Sequence, residues 1–399
     1  LRIPKSTVAR IKLNQAIVRN EARGEILHQY LSSDKARRLL SWEPVASIDS
    51  GLKATIDWSR AFLADTTAAP FGMAPVVGVR SEAGASRILI GIPTRNRPDL
   101  VRDAVLSVQR QTVRDFRLIV TENPSDPAVS AENRAWIESL EDPRIEYVLQ
   151  PIDGGEYGQA RYLFSRCHEP FMCMLHDDDM MEPDYVERAL EVLESREDVA
   201  LYASSQYLID RQGVHQPALT QEYSKYQARD RFAEGRMESF LEPLMEFGLF
   251  SISGAVFRSS CLDVCGIGDP DMGGIYPFEF NMFLRVAERG FAAWYSPQKR
   301  IAYRWHAASM RQSDGSILTR YMVENLISLL ERRRFAGRAE HLRRRLLAFN
   351  KRNLGYILLV AGERRAAMRQ LHEAIRLYPR GMSIWWYAIR AIVAPRRIV

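Results

Sequence analysis

Short apolar runs alternate with amphipathic stretches from Arg87 onwards, and this is the clearest pattern in the chain. Four runs have the length and composition of buried strands. They cover residues 88–92, 116–121, 145–149 and 171–175. Three stretches between them have helical spacing. They cover residues 98–110, 131–140 and 157–167. Strands that alternate with helices predict an α/β fold in which parallel strands are joined by right-handed crossovers.

Polar residues follow the first, second and fourth of these predicted strands. They occupy positions 93–97, 122–126 and 177–179. The carboxyl ends of parallel strands meet at one edge of a sheet, and ligands of such sheets bind beyond that edge. The sequence therefore predicts a ligand site formed by these three segments.

Three successive carboxylates, Asp177, Asp178 and Asp179, follow the fourth predicted strand. Adjacent carboxylates repel one another unless a positive charge lies among them. Such a cluster is suited to a divalent cation, which could in turn bind a diphosphate. The alternative is a solvated acidic turn that caps a helix starting near Pro183, because Asp is a common N-cap residue. The residues alone leave both interpretations open.

Composition and charge narrow the class of protein. The chain has 399 residues, 46% hydrophobic and 26% charged, as in ordinary globular proteins. The chain contains no run of about 18 apolar residues, so no membrane-spanning helix is predicted. The start of the given chain has no signal-peptide pattern. The four cysteines lack C-x-x-C spacing, which predicts reduced thiols rather than a zinc site. Residues 321–399 contain 17 Lys and Arg but only 5 Asp and Glu, so this basic region needs its own explanation.

Several motifs together resemble the family 2 glycosyltransferases of the GT-A fold. They are the segment 90–97, the segment 109–112, Glu122-Asn123 and the segment 176–179. The resemblance covers about residues 87–310 and implies a Rossmann-like mixed sheet. It also implies a nucleotide-diphosphate sugar donor, a Mg or Mn ion, and inverting transfer to a hydroxyl of a glycan or lipid-linked acceptor, in cell-surface glycan or polysaccharide biosynthesis.

The resemblance also implies roles for individual residues. The residues implied to bind the nucleotide sugar are Pro93, Thr94, Arg95, Arg97, Glu122, Gly154, Asp177 and Asp178. The family's Asp-x-Asp pattern matches Asp177 and Asp179 as metal ligands, and His306 matches a histidine that can join the metal. Glu122 occupies a position at which the family usually has an Asp that binds the base or ribose of the nucleotide. The resemblance therefore implies that Glu122 makes this contact with a different geometry. Gly154 as a plain turn and His306 as a structural residue remain alternatives.

Glu279 is the catalytic base that the resemblance implies. An inverting transfer needs one carboxylate to take the proton of the attacking hydroxyl. The family usually has Asp here, and the extra methylene of Glu moves the oxygen by more than an ångström. Two alternatives stay open: Glu279 caps the following helix, or the base is Asp269 or Asp271, although a Gly-Asp-Pro-Asp run is typical of a turn.

Residues 20–64 resemble the C-terminal tail of NAD-dependent sugar epimerases and dehydratases. The Gly-rich dinucleotide fingerprint and the Tyr-x-x-x-Lys pair are absent from this segment, so the resemblance implies no such activity. The predicted organisation has four parts. They are an epimerase-tail-like helical segment at 1–65, a linker at 66–86, a GT-A domain at 87–320 and a basic helical region at 321–399.

The basic region resembles a single tetratricopeptide-type repeat at 354–379, which must pack on a neighbour to bury its apolar face. The segment 384–393 is aromatic and apolar, with Arg nearby. It predicts either peripheral contact with an anionic membrane or a helix packed on the transferase. We expect a cytoplasmic protein, at the inner face of the cytoplasmic membrane if that contact forms. No nucleic-acid-binding module accompanies the arginines, so no nucleic-acid partner is predicted.

The motifs thus favour an inverting, metal-dependent glycosyltransferase. Because Glu122 and Glu279 depart from the family pattern, a catalytically inactive nucleotide-sugar-binding or scaffold protein is the alternative. A third interpretation is an interaction module formed by residues 321–399.

Overall fold

The computed structural model describes residues 86–268, 278–305 and 316–393. The segment that resembles an epimerase tail lies outside these residues. So do nearly all of the predicted linker and the candidate residues Asp269, Asp271 and His306.

The described part contains nine strands and twelve α-helices. In chain order they are β1 (Ile88–Thr94), α1 (Pro98–Gln109), β2 (Phe116–Glu122), α2 (Pro127–Ser139), β3 (Ile145–Leu149), α3 (Gly155–Ser165), β4 (Phe171–Met174), β5 (Met180–Met181), α4 (Tyr185–Ser195), β6 (Val199–Ile209), α5 (Pro217–Tyr226), β7 (Gly235–Met237), α6 (Leu241–Phe247), β8 (Val256–Arg258), α7 (Ser259–Cys265), α8 (Phe278–Glu288), β9 (Ala292–Arg304), α9 (Ser316–Glu331), α10 (Gly337–Val360), α11 (Arg364–Leu377) and α12 (Met382–Val393).

The four predicted strands are present and pair in parallel in the order β3-β2-β1-β4. Every residue of β1 is buried, because helices cover both faces of a parallel sheet. Helix α2 begins at Pro127, earlier than the predicted residue 131. The Asp126 side chain accepts a hydrogen bond from the backbone N–H of Ala128 at 2.9 Å, so Asp126 caps the helix and Pro127 occupies its first turn.

Beyond β4 the sheet becomes mixed. Strand β8 is antiparallel to both β4 and β6, and β9 is parallel to β6. The short β5, just after the acidic cluster, pairs antiparallel with β9, with Met180 opposite Ala302. The end of β9, and with it Arg304, therefore lies beside residues 177–179.

The core has a layer on each side of the sheet. In β1, Ile88, Ile90 and Ile92 belong to one apolar cluster and Leu89 to the other, as the alternation of side chains along a strand requires. Gly91 lets α3 approach β1 closely, since a Cβ at this position would lie 2.6 Å from Cδ1 of Leu163.

The C-terminal helices pack against this α/β core. Leu329 of α9 and Leu342 of α10 are buried in one of its two apolar clusters, and Arg338 of α10 forms an ion pair with Glu246 of α6 at 2.8 Å. Helix α10 begins at Gly337, well before the predicted repeat at 354–379, and α11 lies within that range. The tetratricopeptide-type repeat stays a prediction. None of the described helices combines the length and the apolarity that spanning a membrane requires.

Candidate functional site

The ends of β1 and β4 meet through a hydrogen-bonded group of side chains. Thr94 Oγ1 donates to Asp177 Oδ2 at 2.7 Å. Arg97 Nη1 donates to Asp177 Oδ1 at 3.0 Å and to Asp178 Oδ2 at 3.2 Å. The structure therefore brings together residues of two strand ends that the sequence proposed as one site.

A left-handed residue turns the chain between β1 and α1. Asn96 has a φ of 58°, a conformation that Asn adopts more readily than most residues. The turn places Arg97 at the start of α1, facing the acidic cluster. Partial burial lowers the pKa of Arg97, but the charges of Asp177 and Asp178 outweigh this effect and raise it overall. The guanidinium is therefore held as a fixed positive charge at the strand ends.

Asp179 is completely buried within the fold. Its Oδ2 accepts a hydrogen bond from Ser253 Oγ at 2.5 Å, and its Oδ1 accepts one from the backbone N–H of Arg304 at 3.0 Å. Burial raises the pKa of Asp179 to about 7, and the neighbouring Asp178 carboxylate adds to the rise. Burial likewise raises the pKa of Asp177 to about 6, although Arg97 opposes it. A bound cation would compensate for this cost.

Two overlapping sets of side chains could hold a metal ion. His176, Asp178 and Asp179 each offer one ligand atom, and these atoms lie within 4.8 Å of one another. The two carboxylates fit Mg or Mn in chemical type, because these ions prefer oxygen ligands. Asp177 belongs to neither set within the described residues. Its oxygens accept hydrogen bonds from Thr94 and Arg97. The ligand role of Asp177 therefore stays a prediction.

The second set joins His176 to Glu156 and Glu279, again within 4.8 Å. Glu156 Oε1 and His176 Nε2 are 2.9 Å apart. Both atoms are buried, yet neither has a well-aligned hydrogen-bond partner among the described residues. The two atoms therefore face each other as an ion pair whenever His176 is protonated. Burial lowers the pKa of His176, but Glu156 and Glu279 outweigh that effect and raise it well above its usual value.

Glu279 lies in the first turn of α8. Its carboxylate lies close to the His176 ring, although the two residues are more than a hundred positions apart in the sequence. The predicted base is thus adjacent to the acidic cluster. Its two predicted competitors, Asp269 and Asp271, and the predicted ligand His306 lie outside the described residues.

Glu122, predicted to bind the nucleotide, is entirely enclosed by protein. Its carboxylate accepts hydrogen bonds from Ser125, Ser130, Asn133 and Tyr147 at 2.5 to 3.1 Å. Burial raises the pKa of Glu122, but the four hydrogen bonds outweigh it and lower the pKa overall. The carboxylate fixes the loop after β2, and its contact with a nucleotide stays a prediction.

The loops after β1 and β3 are joined at the surface. Arg95 forms an ion pair with Asp153 at 3.0 Å. Asp153 also accepts a hydrogen bond from the backbone N–H of Gly155 at 2.9 Å, and Gly154 is the N-cap residue of α3. A Cβ at Gly154 would lie 3.0 Å from Cα of Gly158, so the turn needs a small residue there. Pro93 is buried within β1, opposite Thr121 of β2.

An open cleft of about 790 Å³ lies beside these loops. Its lining residues are Arg95, Asn96, Arg97, Pro98, Asp99, Leu100, Pro124, Ser125, Asp126 and Arg211. The cleft shares Arg97 with the acidic cluster. Three arginines at its wall suit a ligand with negatively charged phosphates.

Several residues that shape the site were not predicted from the sequence. Ser253 and Arg304 hold Asp179, and Arg211 lines the cleft. Arg304 is buried, and its Nε donates to the backbone carbonyl of Asp178 at 2.9 Å, while Nη2 pairs with Asp103 at 2.8 Å. No local pattern marks Ser253 or Arg304, whereas His176 stands directly before the acidic triplet.

Comparisons with known proteins bear on the family and the fold of this chain. Residues 89–253 match the family model described as Glycosyl transferase family 2. The structure is similar to that of residues 1–349 of TarS from S. aureus in complex with UDP-GlcNAc. The TM-score is 0.53 at 11% identity, with 76% of this chain and 89% of that chain covered.

A second solved structure is the mannosyltransferase PcManGT from Pyrobaculum calidifontis in complex with GDP-Man and Mn²⁺. It has a TM-score of 0.47 at 14% identity and covers 86% of this chain and 94% of that chain. No curated protein matches significantly, and the comparisons do not show the epimerase-tail resemblance of residues 20–64. The chain has the GT-A fold, and the match over residues 89–253 supports a family 2 glycosyltransferase.

Proposed function

We propose that this protein is an inverting, metal-assisted glycosyltransferase that moves a sugar from a nucleotide-diphosphate donor to an acceptor hydroxyl. The observation that carries the proposal is the meeting of three groups at one sheet edge. Arg97 lies against the acidic cluster, Asp178 and Asp179 approach His176, and Glu279 approaches the same histidine. A transferase needs these three elements: a cationic donor site, a cation site and a separate carboxylate for the acceptor.

The donor site is the cleft with its arginines. Arg95, Arg97 and Arg211 line it and would bind diphosphate oxygens. We also propose that the backbone at Gly154 contacts the nucleotide. The solved TarS structure contains UDP-GlcNAc, a donor of the proposed class. Pro93, Thr94 and Asp178 would contact the same donor, with Thr94 also orienting Asp177.

Asp178, Asp179 and His176 would hold a Mg or Mn ion, with Asp177 and His306 as further proposed ligands. When bound, such an ion supplies positive charge for the departing diphosphate. Ser253 and the backbone of Arg304 fix the orientation of Asp179, so the ligand oxygen is positioned before the donor arrives.

Glu279 would accept the proton of the acceptor hydroxyl as that oxygen attacks the anomeric carbon. Attack on the side opposite the leaving diphosphate inverts the configuration in a single displacement. Glu279 and the aspartates are separate side chains, so the acceptor base and the carboxylate ligands of the cation would be different residues, with His176 between them. We propose a glycan or lipid-linked acceptor in the synthesis of a cell-surface glycan or polysaccharide.

Donor binding and turnover test the proposal. Calorimetry with UDP-, GDP- and dTDP-sugars, with and without Mn²⁺, should identify a donor whose binding needs the metal. Asp179→Asn should abolish this metal dependence. Glu279→Gln should keep donor binding but lower kcat by about 10²–10⁴-fold, the usual contribution of a general base. NMR of the product should show an inverted anomeric configuration.

The exposed Glu197→Gln variant is the matched control and should behave like the wild type. Asp269→Asn and Asp271→Asn test the competing bases. Turnover that survives both EDTA and Asp179→Asn would contradict the metal mechanism. Tight donor binding without turnover on any acceptor would instead support the scaffold alternative.

A further inference from the structure

One face of the last described helix, α12, exposes an apolar stripe. Met382, Trp385 and Ile389 are 85%, 46% and 56% exposed, and Trp386 beside them is also exposed. These positions have the i, i+3, i+4, i+7 spacing of a single helix face. The Trp385 indole is held in place, because its Nε1 donates to the carbonyl of Pro379 at 2.7 Å. The stripe is therefore an ordered feature of a folded helix.

The opposite face of α12 already packs on the protein. Ile384 is buried against Ala348 of α10 and Ala374 of α11, and Ala388 is buried against Leu371. Packing within the fold therefore explains why the inner face of α12 is apolar. It does not explain why the exposed outer face is apolar as well.

Helix α10 extends the exposed surface. The Tyr356 ring lies 5.3 Å from the Tyr387 ring, and both Tyr356 and Val360, one turn later, are exposed. We call the exposed residues Tyr356, Val360, Met382, Trp385, Trp386 and Ile389 the α10–α12 patch. Contiguous exposed apolar patches of this kind mark interaction sites.

Positive charge accompanies the α10–α12 patch. The Arg352 guanidinium lies 5.5 Å from the centre of the Tyr387 ring and donates to Ser383 Oγ at 2.8 Å. Arg380, just before α12, is exposed and forms no ion pair within the described part of the chain. Residues 374–399 contain five Arg and no Asp or Glu. Among the described side chains, Arg352 and Arg380 thus place positive charge beside the apolar and aromatic residues of the α10–α12 patch.

We propose that the α10–α12 patch binds the surface of an anionic phospholipid bilayer. Trp rings reside at the headgroup level, aliphatic side chains insert at the acyl boundary, and Arg attracts anionic headgroups. A second copy of the chain fits less well, since it would bring two arginine-rich surfaces of like charge together. This inference does not rest on the proposed function, because vesicle binding needs neither donor nor acceptor.

Vesicle flotation of the full chain tests the inference. The protein should float with vesicles of phosphatidylcholine and phosphatidylglycerol, and much less with phosphatidylcholine alone. Added salt should weaken this binding, because it screens the arginines. The double substitution Trp385→Ser with Ile389→Ser should lower the bound fraction roughly tenfold, because interfacial binding scales with inserted apolar surface.

A second variant, Met382→Ser with Ile389→Ser, keeps the Trp385 hydrogen bond and should show the same loss even if the first variant misfolds. The control is Tyr226→Ser with Val264→Ser, which removes exposed apolar side chains of α5 and α7 and should float normally. Wild-type protein that stays unbound with anionic vesicles would overturn the inference. So would folded patch variants that float like the wild type, or a dimer in solution that the patch variants disrupt while no vesicle binding occurs.

Discussion

At the scale of single residues, buried charges organise the site more than exposed ones do. Arg304 is buried with its guanidinium on backbone carbonyls and Asp103, and its own N–H orients Asp179. Glu122 is enclosed by four donors of the β2 end and α2. A buried ionised group is tolerated only when its hydrogen-bonding capacity is met, so each of these charges fixes the loops around it.

Glu122 predicts a pH dependence of stability. The pKa of Glu122 in the folded state lies below its usual value of 4.5. Its ionised form therefore stabilises the fold at pH values above about 4.5. This contribution is lost as the pH falls through the lowered pKa. Glu122→Gln should therefore lower the free energy of unfolding by about 1–3 kcal/mol at neutral pH, and the difference should narrow in acid.

Urea unfolding of both proteins across this pH range measures the effect. Glu138→Gln, on the exposed side of α2, is the control and should show no such narrowing. A difference that stays constant with pH would mean that the Glu122 carboxylate contributes no charge-dependent stability.

At the scale of elements, the close packing of β1 against α3 positions the strand ends that carry the site. Gly91 of β1 faces Leu163 of α3, and Gln159 of the same helix donates to the carbonyls of Thr94 and Thr121 at 2.9 and 2.6 Å. The helix thereby links the ends of β1 and β2. The position of α3 relative to the sheet should thus be sensitive to side-chain volume at residue 91.

Gly91→Ala should destabilise the fold by about 1–3 kcal/mol, because the added Cβ overpacks against Leu163. Leu163→Ala alone leaves a cavity, but in the double variant it makes room for the new methyl group. A double-mutant cycle by urea unfolding should therefore show a favourable coupling between the two substitutions. Strictly additive effects would show that this contact does not limit the approach of α3.

At the scale of the whole molecule, the C-terminal helices share the core of the GT-A fold. Leu342 of α10 is buried in the same apolar cluster as Phe283 of α8 and Leu89 of β1. Lys351, also on α10, is buried and pairs with Glu331 of α9 and Glu373 of α11 at 2.6 Å each. The C-terminal helices and the α/β part therefore share one apolar cluster, and we expect them to unfold together.

Leu342→Ala should lower the stability of the α/β core by about 2–5 kcal/mol, the usual cost of a cavity at a buried leucine. Near-UV circular dichroism and donor binding, if the proposed function holds, should then be lost in one transition at a lower temperature. Val360→Ala, at an exposed position of α10, should leave the transition unchanged. A separate early transition confined to the helices would contradict the shared core.

Local sequence patterns were enough to locate the parallel half of the sheet and the polar residues that follow its strands. Apolar periodicity located the four parallel strands, and the polar strand ends indicated the edge at which Thr94, Arg97 and Asp177 meet. The start of α2 was placed too late, because a local cap at Asp126 outweighed the apolar pattern on which the prediction rested. Strands, helices and helix caps depend mainly on residues that are close in sequence, so periodicity and motifs can predict them.

The contacts of each carboxylate depend on the folded chain and could not be predicted from local patterns. The tertiary structure assigned Asp177 to Thr94 and Arg97, placed Asp179 against Ser253 and Arg304, enclosed Glu122 and brought Glu279 to His176. These contacts join residues that are distant in sequence, and they follow from strand order, from the pairing of β5 with β9 and from the packing of α8. The exposure of the outer face of α12 likewise depends on which neighbours cover its inner face. Local patterns contain no such information, because burial and long-range pairing are properties of the folded chain.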